Sequence, residues 1–148
     1  MYVLWWLVMK REFLKKIYDL AQKSSDLDEI PVGAIVVKNN KIIGMGMNSR
    51  EIEKSVIGHA EINAIMEACE VVGDWRLDGC EMYVTLCPCM MCAGAILESR
   101  IKKVYYLCDR TNVCFDTSNY IIIEKINDDE YEEKYLKMLR LFFENKRN

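Results

Sequence analysis

His59-Ala60-Glu61 and, further along the chain, Pro88-Cys89-Met90-Met91-Cys92 bring one imidazole, one carboxylate and two thiols into a single constellation. A neutral imidazole and two thiolates suit a zinc ion and leave its fourth tetrahedral position open for water, which marks a catalytic rather than a structural site. Zinc lowers the pKa of such a water to about 7, so hydroxide is available near neutral pH to attack an electron-poor ring carbon. Glu61, two residues beyond His59, is then left for proton transfer. Its carboxylate can take a proton from the water, deliver it to a ring nitrogen and finally to departing ammonia.

A Cys-x-x-Cys pair alone could equally be a redox couple or half of a zinc knuckle. Here the chain's only histidine stands two residues before a glutamate, and that context favours the catalytic reading. Cys87, two residues before Cys89, could close a Cys3His structural site. The fixed φ of the intervening Pro88 makes it awkward for both thiols to turn to one ion.

Several elements must position these groups. Phe13, Leu14, Ile17, Tyr18, Leu20 and Ala21 recur at helical spacing between Arg11 and Lys23, with charges opposite, and predict an amphipathic first helix. Residues 31–37 read as a buried strand, and Asn39-Asn40 as a turn into a second strand over Lys41 to Met47. A helix is expected from His59 to about Glu70, a strand over Glu81 to Leu86, a helix over Cys89 to Ser99 and a strand over Lys103 to Leu107. Tyr120 to Ile123 reads as a further strand. A charged helix from Asp128 to about Glu144 closes the chain, with Tyr131, Tyr135, Leu136, Met138, Leu139 and Phe142 on one face. His59 and both cysteines thus fall at helix N-termini, where the helix dipole favours thiolates and hydroxide.

With 148 residues and 51% hydrophobic composition, the chain is expected to form one domain over residues 1–148 that buries about 70% of its unfolded surface. A net charge of −3 argues against indiscriminate nucleic-acid binding but leaves room for a local basic patch. Seven cysteines without a secretory signal read as reduced thiols in a cytoplasm. The apolar opening, Met1 to Met9, is too short to span a bilayer, and no membrane is expected as a partner. Met9 precedes Lys10-Arg11-Glu12, so residues 1–8 are read as a mis-assigned start, or else as an apolar arm packed on the protein or on a partner subunit.

His-x-Glu with Pro-Cys-x-x-Cys is the signature of zinc-dependent nucleobase deaminases. Beyond it, Asp28 to Ala34, Trp75-Arg76-Leu77, Tyr83 to Leu86, Cys89 to Ala95 and Ser99-Arg100 resemble the bacterial tRNA-specific adenosine deaminase (TadA) family over roughly two thirds of the chain. Guanine deaminases are similar in the zinc motifs but usually carry a Pro-Phe-Gly-Ala version of the Pro31 to Ala34 strand. The resemblance implies a three-layer α/β/α cytidine deaminase-like fold with a mixed five-stranded sheet, a homodimer, and one zinc per chain held by His59, Cys89 and Cys92. It also implies conversion of wobble adenosine to inosine in a tRNA anticodon stem-loop, with attack at C6 and Glu61 as proton shuttle. Substrate contacts are implied for Asn48, Ala60, Phe142, Phe143, Lys146 and Arg147, the last four as an aromatic pair and basic tail gripping a splayed loop. DNA is not expected as a partner.

The chain departs from the family at two places. Cys87 replaces the glutamate usual before Pro-Cys, and Cys108 to Cys114 replaces a Gly-rich segment that helps form the RNA-facing wall. The alternative is therefore a deaminase of a free base or nucleoside of guanine, cytosine or adenine type, which needs no RNA grip. A catalytically silent, zinc-stabilised binding subunit is disfavoured, because such a protein has no use for Glu61.

Overall fold

A computed structural model describes residues 2–110 and 120–147, apart from the side chains of Tyr2, Trp6 and Arg147. Its strands are β1 (Gly33–Lys38), β2 (Lys41–Met47), β3 (Cys80–Leu86), β4 (Lys103–Cys108) and β5 (Ile122–Lys125). They form one mixed sheet in the order β2-β1-β3-β4-β5, antiparallel across β2-β1-β3 and parallel across β3-β4-β5. Asn39 and Asn40 both take positive φ, as a two-residue hairpin turn requires, and this joins β1 to β2.

The central strands are buried on both faces because apolar residues occupy both alternations of the pleat. Ala34, Val36, Met82, Val84 and Val104 pack with α3 (Ala60–Val72) and α4 (Met90–Glu98). Ile35, Val37, Tyr83, Tyr105 and Leu107 face the opposite layer, α1 (Tyr2–Asp26) and α5 (Asp129–Arg147). The result is the expected α/β/α sandwich. The Tyr83 and Tyr105 rings stack at 4.8 Å, and the hydroxyl of the fully buried Tyr135 donates to the Pro31 carbonyl at 2.6 Å. This bond ties α5 to the segment entering β1.

Gly44 and Gly46 on β2 let α3 lie directly against the sheet. A Cβ at Gly44 would collide with the Ala64 carbonyl, and one at Gly46 with the Ala60 carbonyl and the Ala64 amide, so backbone rather than a flexible side chain would have to yield. Because Ala60 is the first residue of α3, this approach fixes His59 and Glu61 in space. Gly46→Ala is expected to cost roughly 1–3 kcal/mol through overpacking, read as a lower urea midpoint. An unchanged midpoint would show that α3 has slack.

Several element bounds differ from expectation, and one element is unexpected. α1 begins at Tyr2 instead of Arg11, and Val3, Leu4, Trp5, Leu7 and Val8 are exposed upon it, so these side chains of the apolar arm do not pack on their own subunit. β5 starts at Ile122, two residues late, because Ile121 is pulled into the core while the Ile122 amide pairs with the Lys102 carbonyl. A short helical turn, α2 (Arg50–Glu53), has no apolar periodicity to reveal it. It is held by the buried Glu29 carboxylate, which accepts the Ile52 amide at 2.7 Å. No described helix is long and apolar enough to cross a membrane. No disulfide joins the described cysteines, and Cys114 lies outside the described residues.

Candidate metal centre and cleft

His59 is the N-cap of α3, held in extended conformation at φ −95 and ψ 149, and Cys89 is the N-cap of α4 at φ −76 and ψ 176. Pro88 has no N–H to extend the β3 ladder, so the chain leaves the sheet there and enters α4. Cys92 lies buried in the first turn of α4. Asn63 braces the facing helix by donating to the Met47 carbonyl and to Ser49 Oγ, both at 2.9 Å. Together these supports place His59 Nδ1 3.7 Å from Cys89 Sγ and 3.4 Å from Cys92 Sγ. The three donor atoms lie within 4.8 Å of one another, a cluster able to hold a metal ion. Cys87 is not among its members, in keeping with the restraint that Pro88 imposes.

Burial, then the charges of Arg50 and Arg110, push the His59 pKa down, which keeps its lone pair free for a cation. The Cys92 thiol is pushed strongly up by burial, then by neighbouring Glu61 and Cys89. Glu61, only 3% exposed and hydrogen-bonded to Cys92, is also pushed up, chiefly by burial. Several acidic groups are thus packed together in low dielectric, an arrangement that a cation stabilises.

A cleft of about 850 Å³ opens over this cluster, with His59, Ala60 and Glu61 in its lining. Asn48 lines it from the end of β2, and its buried Oδ1 has no hydrogen-bond partner among the described residues. Its backbone is fixed, with the amide donating to the Val32 carbonyl at 3.2 Å. Leu136, Leu139 and Phe143 of α5 close one side. The rings of the expected aromatic pair touch edge to face, with centroids 5.4 Å apart, but they line different hollows. Phe143 lines the cleft, whereas Phe142 is buried beside a smaller hollow with Asp28 and Lys146. Lys146 Nζ sits 2.7 Å from Asp28, and the Arg147 side chain lies outside the described residues.

The sequence reading missed Arg50, Arg110 and Arg140, which all line the cleft. It did flag the segment that holds Arg110. There the two departures from the family pattern touch: Arg110 Nε donates to the Cys87 carbonyl at 3.1 Å, and the Cys87 amide donates to the Cys108 carbonyl at 2.9 Å.

A family model for MafB19-like deaminases matches residues 8–147. The chain belongs to that deaminase family. Among curated relatives, the tRNA-specific adenosine deaminase of Buchnera aphidicola is 36% identical over 145 residues, covering 91% of this chain and 88% of that protein. That of Bacillus subtilis is 46% identical over 94 residues, covering 64% of this chain, and the match spans 58% of the length of that relative. A solved structure from studies of A-to-I editing by tRNA:A34 deaminases at the wobble position of transfer RNA superposes with a TM-score of 0.73 at 31% identity. It covers 79% of this chain and 98% of its own. The family's mixed-sheet sandwich is therefore the scaffold of the His59, Cys89 and Cys92 cluster.

Proposed function

We propose that this deaminase hydrolyses adenosine to inosine at the wobble position of a tRNA anticodon loop, with one zinc ion per chain. The observation that carries the reading is the juxtaposition of the His59, Cys89 and Cys92 cluster with a buried, non-ligating Glu61 at the base of an open cleft. The relatives named for tRNA-specific adenosine deamination support this choice of substrate.

The donor set fits zinc. Tetrahedral Zn–N and Zn–S bonds put imidazole nitrogen and sulfur about 3.6 Å apart, close to the 3.4 and 3.7 Å seen here. When bound, zinc supplies a Lewis acid that makes a water nucleophilic near neutral pH. Glu61 takes the proton released as the C–O bond forms at C6 and gives it to N1 of the ring, then moves the second proton, from the new C6 hydroxyl, to the amine as the C–N bond breaks, so that adenosine and water give inosine and ammonia. A pKa raised by burial suits this shuttle, because the proton must be given up as well as taken. Asn48 Oδ1 accepts from a substrate hydroxyl or amino group, Ala60 bounds the ring without crowding it, and Phe143 offers a face on which a base can stack.

Asn48→Ala is expected to lower kcat/KM on an anticodon stem-loop by about 10- to 100-fold, the worth of one buried hydrogen bond to substrate. No loss would remove Asn48 from the site. Metal analysis of the purified protein tests the cofactor: one zinc per chain is expected, and its absence from active protein would overturn the assignment. A homodimer completes the reading, supported by exposed Val56, Ile57, Met66 and Met90 around α3 and α4, and light scattering reads its mass; a tRNA substrate places the reaction in the cytoplasm.

A further inference from the structure

The family resemblance puts the phosphate-gripping cations in the tail, but Lys146 is engaged with Asp28 beside a separate hollow. The cations that line the cleft come instead from three elements: Arg50 opens α2, Arg110 follows β4, and Arg140 lies on α5. None of them forms an ion pair with a described residue. In a chain of net charge −3 this concentration is local. The acids of the same cleft do not cancel it. Glu61 is buried and hydrogen-bonded to Cys92 in the metal cluster, Asp109 is already 2.9 Å from Lys125, and Glu144 is one carboxylate in a lining that holds three arginines.

The Arg110 side chain is also held by its surroundings, and the other two arginines stand on ordered backbone. Arg110 spends one of five N–H donors on the Cys87 carbonyl, which leaves the rest of a planar fork restrained at the cleft. The turn that carries Arg50 is pinned by Glu29, and Arg140 rides on a long helix. Restraint of this kind lowers the entropy lost when an anion is bound. A free base offers no anion to three cations, whereas a nucleotide within a strand brings a phosphate on either side.

We propose that Arg50, Arg110 and Arg140 form a phosphate cradle that holds the RNA backbone flanking the nucleotide in the cleft, and that this cradle outweighs Lys146 in RNA affinity. The inference rests on the tRNA reading above and assigns its backbone contacts.

Fluorescence anisotropy of a labelled anticodon stem-loop titrated with the full-length, zinc-loaded protein over a range of KCl tests it. Arg50→Ala/Arg140→Ala is expected to raise Kd at least tenfold and to flatten the slope of log affinity against log salt by about 1.4, or ~0.7 per lost single-strand contact. Arg50→Lys/Arg140→Lys should restore most of that slope, since charge rather than shape sets it. Arg110→Ala should raise Kd by a comparable factor with zinc retained. Lys41→Ala, an exposed cation outside the cleft, serves as the control. Unchanged Kd and slope in the arginine variants, or a larger loss in Lys146→Ala, would overturn the cradle. Binding is read without turnover, so a failure to form inosine would count against the proposed reaction while these affinities still decide the cradle.

Discussion

On the proposed mechanism, Glu61→Gln is expected to lower turnover by roughly 10³-fold or more while leaving zinc bound, because positioned acid–base catalysis alone contributes about 10²–10⁴ and that mechanism gives this carboxylate successive proton transfers. The substitution keeps the shape of the side chain and removes only its ability to exchange a proton. Stability should hold or rise. Glu61 is buried at 3% exposure with its pKa raised by desolvation, so folding now sustains a carboxyl group in an environment that penalises its charge. Exchanging such a group for a neutral amide commonly gains stability at the expense of activity. The check pairs kcat with zinc content and thermal midpoint. Loss of zinc from this variant would show that Glu61 is a ligand and that the assigned roles are wrong.

Cys92→Ala should act in the opposite way, abolishing activity through loss of the metal and lowering stability by several kcal/mol. On the proposed reading, an ion held by His59 at the start of α3 and by Cys89 and Cys92 at the start of α4 would tie the two helices together, and its binding free energy would be folding free energy. At a free zinc concentration 1,000 times Kd, that linkage is worth about 4 kcal/mol. Trimming a small buried thiol to a methyl group leaves a modest cavity, so packing accounts for only a minor part of the loss. Chelating the wild-type protein separates the two contributions. It should reproduce most of the fall in thermal midpoint seen in Cys92→Ala, and that variant should show no response to added zinc. A wild-type midpoint indifferent to chelator would contradict the assignment.

Much of the scaffold was legible because its cues are local. Asn39-Asn40, the periodicity of residues 13–21 and Pro88 each specify a turn, a helix face or a strand end through backbone preferences that need no partner. The metal cluster was legible for a different reason: its donors sit at helix starts, so their spacing along the chain follows from the elements that carry them. Cleft residues are another matter. Arg50 lies on a four-residue turn held by Glu29 from a distant segment, and Arg140 sits on the polar side of a helix whose apolar side dominated the pattern. Only tertiary packing shows that both reach the same opening. The split between Phe142 and Phe143 has the same origin. Adjacent residues on a helix point about 100° apart, so one of the pair enters the core while the other faces the cleft.

Segment 108–114 departs from the family pattern, and the alternative of a free base or nucleoside arises from that departure. The measurement that bears most directly on the whole account is deamination by the purified, zinc-loaded protein of an anticodon stem-loop carrying wobble adenosine. Free adenosine, guanine, cytosine and cytidine are assayed beside it, and inosine is read at the wobble position. The account predicts inosine at that position and little turnover of the free compounds. Activity confined to a free base or nucleoside would contradict it, and would mean that the wall around Asp109 and Arg110 has been rebuilt for a small substrate.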